Sequence, residues 1–259
     1  MTDDQPTVIF EERGAVAVIT LNRPDQRNAI NADMSNVLRE AFDQLEADPN
    51  LRVGVLRAEG PTFCAGMDLK VFAKGDAEPV VFGKDRLGGL VSRQRSKPLI
   101  AAVQGPALAG GFELVLACDI VIAAQEASFG LPEPKIGLIA GAGGAIRLST
   151  RLPHALAQAM LLTGEPIDAQ RAAHHGLVYQ VMPASELEAA AQDLASRIAA
   201  NAPLAVAASL RLAAANREAA EEPLWAQNDA ALRAIMATDD AREGASAFAS
   251  RRKPRWSGH

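Results

Sequence analysis

Four short runs in this chain are apolar on nearly every residue: "AVAVITL" (15–21), "LRVGVLRA" (51–58), "PLIAAV" (98–103) and "DIVIAA" (119–124). A strand with one face in water alternates apolar and polar residues, whereas runs without alternation need cover on both faces. Helix-patterned and loop segments lie between the runs. That arrangement predicts parallel strands joined by crossover helices, hence an α/β fold.

Residues 32–48, "ADMSNVLREAFDQLEAD", carry Met34, Val37, Leu38, Ala41, Phe42 and Leu45 at helical spacing, with Asn31 placed to cap the helix. The first run ends at Asn22-Arg23-Pro24, and Gly60-Pro61 breaks the chain before "TFCAGMDLK". Residues 73–97 mix Gly, Pro, Lys, Asp and Glu with a few large apolar side chains, which reads as a loop that holds a short helix and walls a pocket. After Pro153 the chain is Ala-rich and helical, apart from a short strand at "VYQVMP". Pro203 and Pro223 are expected to break the C-terminal helices.

Composition narrows the choice of function. Hydrophobic residues make up 49% and charged residues 22% of the 259, enough for a large core. Aromatics are only 4%, so that core is built from Ala, Val, Leu and Ile. A net charge of −5 argues against nucleic-acid binding by broad electrostatics. Cys64 and Cys118 are too few for a disulfide framework and read as small core residues. The opening "MTDDQP" is acidic and lacks the apolar region of a signal peptide, and no apolar run reaches the ~20 residues of a membrane span. The expectation is a cytoplasmic protein with no membrane or nucleic-acid partner.

Several common sites fall away. His154, His174, His175 and His259 have no metal-binding spacing. "EASFG" has Glu126 where a nucleophile elbow needs Gly, and "GAGGAI" (141–146) has Ile146 where a dinucleotide fingerprint needs Gly or Ala. Three features remain. In "FCAGMD" (63–68), the small pair Ala65-Gly66 lets a ligand approach backbone N–H groups, although an ordinary tight turn would use the same residues. Gly110-Gly111 opens the helical "FELVLACD", where free N–H donors and the positive end of the helix dipole are suited to an oxyanion. Glu113 stands in the first turn of that apolar helix. A first-turn Glu suits the dipole, yet a buried carboxylate is costly unless it is held or its pKa rises. Glu133, between Pro132 and Pro134, is expected to be stiff and extended. Two carboxylates in such settings are either acid/base apparatus or two unrelated structural features.

The segments "ITLNRPDQRNAI", "FCAGMDL", "KPLIAAVQGPALAGGFELVLACDIVIA", "FGLPEPKIGLIAGAGGAIRL", "LLTGEPIDAQRAAHHGLV" and "EGASAFASRRKPRW" occur in this order over most of the chain. Together they resemble the crotonase family, the enoyl-CoA hydratases and isomerases. The resemblance implies a spiral of ββα units over residues 1–200 and a helical region over 201–259 that builds homotrimers, or hexamers from paired trimers. It implies a coenzyme A thioester as substrate, with no metal and no separate cofactor. The implied reaction is the reversible syn addition of water to a trans-2-enoyl-CoA, giving a 3-hydroxyacyl-CoA, as in β-oxidation of fatty acids.

By the same resemblance, the N–H groups of Ala65 and Gly110 hold the thioester oxygen, Glu113 activates water, and Glu133 protonates the α-carbon. Coenzyme A is expected along Gln26, Arg27, Met67, Asp68, Leu69 and Lys70, with Gly141 also at the substrate and Arg252 and Lys253 reaching a neighbour's phosphate. Three positions depart from the family pattern: Met67 replaces a small residue, Ala109 the first of three glycines, and Ala140 a proline. A bulky residue in "AGxDLK", with "GFELVLACD", resembles the carnitinyl-CoA dehydratase-like branch. The alternatives to a simple hydratase are therefore such a dehydratase or a double-bond isomerase. A non-catalytic RNA-binding homologue is opposed by the acidic balance and by both glutamates.

Overall fold

A computed structural model describes residues 6–68 and 77–257, and for residues 215–220 and 222 the backbone. The chain begins with a hairpin of β1 (Val8–Arg13) and β2 (Val16–Leu21), turned at Gly14 with φ 66°. α1 (Ala32–Ala47) follows, and the Met34 N–H donates to the Asn31 side chain at 2.9 Å, so Asn31 is the cap. Val37 is the one predicted core position of α1 that faces outward, and Ser35 is buried in its stead.

Next come β3 (Val53–Ala58), the short α2 (Glu78–Val81), β4 (Leu99–Val103), β5 (Ala107–Leu108), α3 (Gly110–Ala117), β6 (Ile120–Ala124) and β7 (Ser128–Gly130). The expected short helix in residues 73–97 is thus α2, while residues 73–76 lie outside the described residues. The chain continues through α4 (Gly144–Arg151), α5 (His154–Thr163), β8 (Ile167–Asp168), α6 (Ala169–His174), β9 (Gln180–Met182), α7 (Ala184–Ala199), α8 (Pro203–Met236) and α9 (Asp239–Ala249).

The strands form two sheets. The larger runs in the order β1-β2-β3-β4-β6-β9, parallel except for β1; the smaller runs β5-β7-β8. The chain steps from β4 in the first sheet to β5 in the second, then from β6 to β7, which is the expected spiral. Alternate residues of each long strand go to opposite faces. Ala17, Ile19 and Leu21 join one apolar cluster with α1 and α3, while Val16 and Val18 join another with Leu187, Ala191 and Leu194 of α7. Cover on both faces is why these runs carry few polar residues. Complete burial of a side chain such as Ile19 stabilises the fold by about 1.5–3 kcal/mol.

Pro203 occupies the first turn of α8, where its missing N–H costs nothing. Pro223, expected as a break, sits inside α8 instead, and the helix runs on to Met236. Beyond it, Trp225, Asn228 and Asp229 make side-chain contacts with other elements. Cys64 and Cys118 are buried and unpaired, and burial pushes each thiol up to about 12. Among the described residues, no helix is long and apolar enough to cross a membrane.

Candidate active site

Two backbone segments meet at the N-terminus of α3. Residues 64 and 107 form a parallel bridge, and residues 30 and 67 form another, so the "CAGM" turn is pinned on both sides. The approach admits no side chains. A Cβ on Gly111 would lie 2.2 Å from the Cys64 carbonyl oxygen, and one on Gly66, whose φ is +96°, would lie 2.9 Å from the Gly110 nitrogen. Ala109, just before the helix, adopts φ 50°, a region that favours glycine and costs an alanine on the order of 1–3 kcal/mol.

This packing brings two backbone N–H groups close together. Gly110 is the first residue of α3, so its N–H has no helical acceptor. A Cβ on Gly110 would be 3.4 Å from the Met67 nitrogen, so the two N–H groups are neighbours. Among the described residues neither donates to any acceptor. The expectation for Ala65 is corrected here: its N–H donates to the Arg27 carbonyl at 3.0 Å and is already used. Met67, two residues on, supplies the available donor. Sequence gave three N–H groups in "AGM", but which of them turns toward α3 is set by the two bridges.

Both glutamates open onto the same cavity, of about 710 Å³. Glu113 is 3% exposed and Glu133 6%. The Gly144 N–H, at the start of α4, donates to Glu113 Oε1 at 2.8 Å. Burial raises the Glu113 carboxyl to about 7; the N–H groups of Gly144 and Ala142 and the charge of Arg147 pull against that rise. Glu133 is pushed well above the usual carboxylate range by burial and then by the negative charge of Glu113. Among the described residues Glu133 Oε2 has no hydrogen-bond partner. Its backbone departs from the expected extended form: Glu133–Ile136 is a single 3-10 turn, closed by the Lys135 N–H donating to the Pro132 carbonyl at 2.9 Å. Pro134 fits that turn because the second position of a helix needs no donor.

The two carboxyls therefore differ in kind. Glu113 ionises first because three groups favour its anion. Glu133 is the weaker acid of the two because burial, and then the negative charge of Glu113, disfavours its anion. Two carboxyls of unlike acidity, with two N–H donors that have no acceptor among the described residues, line one cavity and can carry a proton-transfer reaction at a carbonyl-activated carbon.

Gln26, Arg27, Met67, Asp68 and Gly141 all line this cavity. Arg27 is exposed at its mouth, while Asp68 faces Arg23 at 3.5 Å. Leu69 and Lys70 lie outside the described residues. Arg252 and Lys253 are not at this cavity. They line a separate surface depression, where Arg252 donates to both oxygens of Glu243 at 2.6 and 2.8 Å. Lys135 was not singled out from sequence, yet it lines the cavity beside Glu133 and pairs with Glu165 at 2.6 Å. Val81, Leu87, Ile139, Leu232 and Met236 give the cavity an apolar wall. No cluster of metal-ligating side chains occurs among the described residues.

The family model described as "Enoyl-CoA hydratase/isomerase" matches residues 11–259. A carnitinyl-CoA dehydratase of Proteus mirabilis is 42% identical over 252 residues, covering 95% of this chain and 96% of the relative. An enoyl-CoA hydratase of Mycobacterium tuberculosis is 39% identical over 254 residues, covering 96% of each. Among solved structures, a carnitinyl-CoA hydratase from Mycobacterium avium superposes with a TM-score of 0.93 at 42% identity, covering 98% of this chain and all of that one.

Proposed function

The chain belongs to the enoyl-CoA hydratase/isomerase family and is a hydro-lyase, and from that premise we propose that it adds water reversibly to a trans-2-enoyl-CoA. The observation that carries this reading is the pair of unlike buried carboxyls that share a cavity with Met67 and Gly110, whose N–H groups have no acceptor among the described residues. The thioester oxygen accepts from the Met67 and Gly110 N–H groups. The ionised Glu113 takes a proton from water, whose oxygen bonds to the β-carbon. The double-bond electrons move toward the carbonyl as an enolate, and protonated Glu133 delivers its proton to the α-carbon. The product is a 3-hydroxyacyl-CoA, with Glu113 protonated and Glu133 ionised until protons exchange. Each N–H donor in a dry site contributes roughly 3 kcal/mol to holding the enolate charge. Water and two carboxyls complete the reaction, so no further cofactor is invoked.

The test is loss of the conjugated enoyl absorbance with a short trans-2-enoyl-CoA. Glu113→Gln and Glu133→Gln are each expected to lower kcat by about 10²–10⁴-fold. Full activity in both variants would sink the assignment.

A second reading has its own support. Met67 puts a large side chain at the cavity wall, and relatives named carnitinyl-CoA dehydratase are 42% identical. In that case the same four groups run the reaction as dehydration of a 3-hydroxyacyl-CoA bearing a bulky acyl end. A panel of thioesters that shows turnover of carnitinyl-CoA and none of simple enoyl-CoAs decides for it.

We place the enzyme in the cytoplasm as a homotrimer or hexamer, with residues 201–259 as the oligomerisation region. Leu204, Leu212 and Leu224 of α8 are exposed, the apolar surface a subunit contact would cover. Arg252 and Lys253 then act, if anywhere on coenzyme A, across that contact.

A further inference from the structure

Helix α8 carries Glu221, Trp225 and Asp229 four residues apart, so they form one stripe along its face. Two arginines from elsewhere interleave with the stripe. Arg147 of α4 donates through Nε to both oxygens of Glu221, at 3.1 and 3.3 Å, and its guanidinium lies 5.4 Å from the Trp225 ring centre. Arg86 lies over the same ring at 4.4 Å and pairs with both oxygens of Asp229, at 2.7 and 2.9 Å. Trp225 thus has two guanidinium groups near its ring, each paired with a carboxylate of α8. Arg147 and Glu221 are both buried, so this is an internal clasp rather than surface decoration.

The clasp reaches the segment that holds Glu113. Arg147 lies one turn after Gly144, the donor to Glu113 Oε1. A Cβ on Gly143 would be 3.1 Å from the Trp225 ring. Asn228, also on α8, donates its side-chain N–H to the Gly141 carbonyl at 2.8 Å. Gly141 and Gly143 are thus held from α8, and Gly144, next in the same segment, donates to the carboxyl of Glu113.

We propose that Arg147, clasped by Glu221 and Trp225 of α8, is a positioning residue that fixes Glu113 in its working pose, so that the C-terminal helix is part of the acid/base machinery. This rests on the hydratase reading above. The charged groups acting on Glu113 are Arg147 from α4 and Glu133 from the 3-10 turn. Of these, only Arg147 favours the carboxylate. Cys118, at the far end of α3, is neutral near pH 7 because burial holds its thiol up.

The variants are Arg147→Met and, because a buried pair tolerates joint replacement better than loss of one partner, Arg147→Met/Glu221→Met. The Glu113 carboxyl is titrated by infrared difference spectra of each variant against the same variant carrying Glu113→Gln. This readout does not need turnover. The midpoint is expected to rise by about one pH unit in both variants. At pH 6, kcat with an enoyl-CoA should then fall about tenfold and KM stay within about twofold, with Arg147→Lys restoring the midpoint. An unchanged midpoint in the folded double variant overturns the proposal. A moved midpoint in an enzyme that hydrates no enoyl-CoA leaves the positioning role standing and removes the hydratase reading.

Discussion

The Gly144 N–H donates to Glu113 Oε1 at 2.8 Å, across 31 residues of sequence. One residue is the first of a helix with a spare donor; the other is a carboxylate in an apolar helix with a spare acceptor. Each removes the other's cost. The bond leaves Glu113 enough anionic character to act as a base near neutral pH, although burial alone would keep it protonated.

The first prediction follows from how closely Gly144 sits. A Cβ there would be 3.0 Å from Glu113 Oε1 and 2.9 Å from the Ala140 Cβ, with backbone angles that alanine can adopt. Gly144→Ala is therefore expected to shift the start of α4 away from Ala140 and the Glu113 carboxyl away from its present position. Steady-state kinetics should show kcat lowered about tenfold and KM little changed. A kcat equal to the parent's would mean that Glu113 has room to move without consequence.

The second prediction concerns stability against pH. The folded-state carboxyl of Glu113 is raised to about 7 by burial, whereas in the unfolded chain it titrates near the ordinary 4.3. Below the lower value both states hold the proton. Between the two values only the folded chain does, so stability falls as pH rises and this contribution is lost above about 7. Glu113→Gln has no proton to lose. Its Tm should match the parent's near pH 4.5 and exceed it at pH 8.5 by several degrees, from at most about 3 kcal/mol. Calorimetry at both pH values checks the sign, and a gap that does not widen with pH counts against it.

The fold was legible where burial dictated residue type. The four apolar runs became β2, β3, β4 and β6 because a sheet covered twice has little place for polar residues. The edge strand β1 was missed because half of it is open to solvent and its pattern is mixed. In the site, Glu113 and Gly110 stood out because a carboxylate and a glycine pair in an apolar helix need a reason. Met67 N–H did not, since a backbone donor carries no residue signature and its direction depends on partners at Ile30 and Ala107. The clasp was equally hidden. Arg147, Glu221 and Trp225 look like ordinary surface residues until α8 passes over α4.

The third prediction separates the backbone of Met67 from its side chain. The N–H faces Gly110, while the side chain packs with the apolar cluster of Ala77, Val81 and Leu232, together with Ile139 and Met236. That cluster forms part of the cavity wall. Met67→Ala keeps the donor and opens space on the apolar side. Turnover of a short enoyl-CoA should persist, because the groups that touch the reacting atoms are intact. The ratio of kcat/KM for a longer or branched enoyl chain to that for a four-carbon chain should rise about tenfold, the effect of one or two methylenes in an apolar pocket. If both substrates lose kcat equally, the side chain supports the donor's geometry and does not measure the acyl chain.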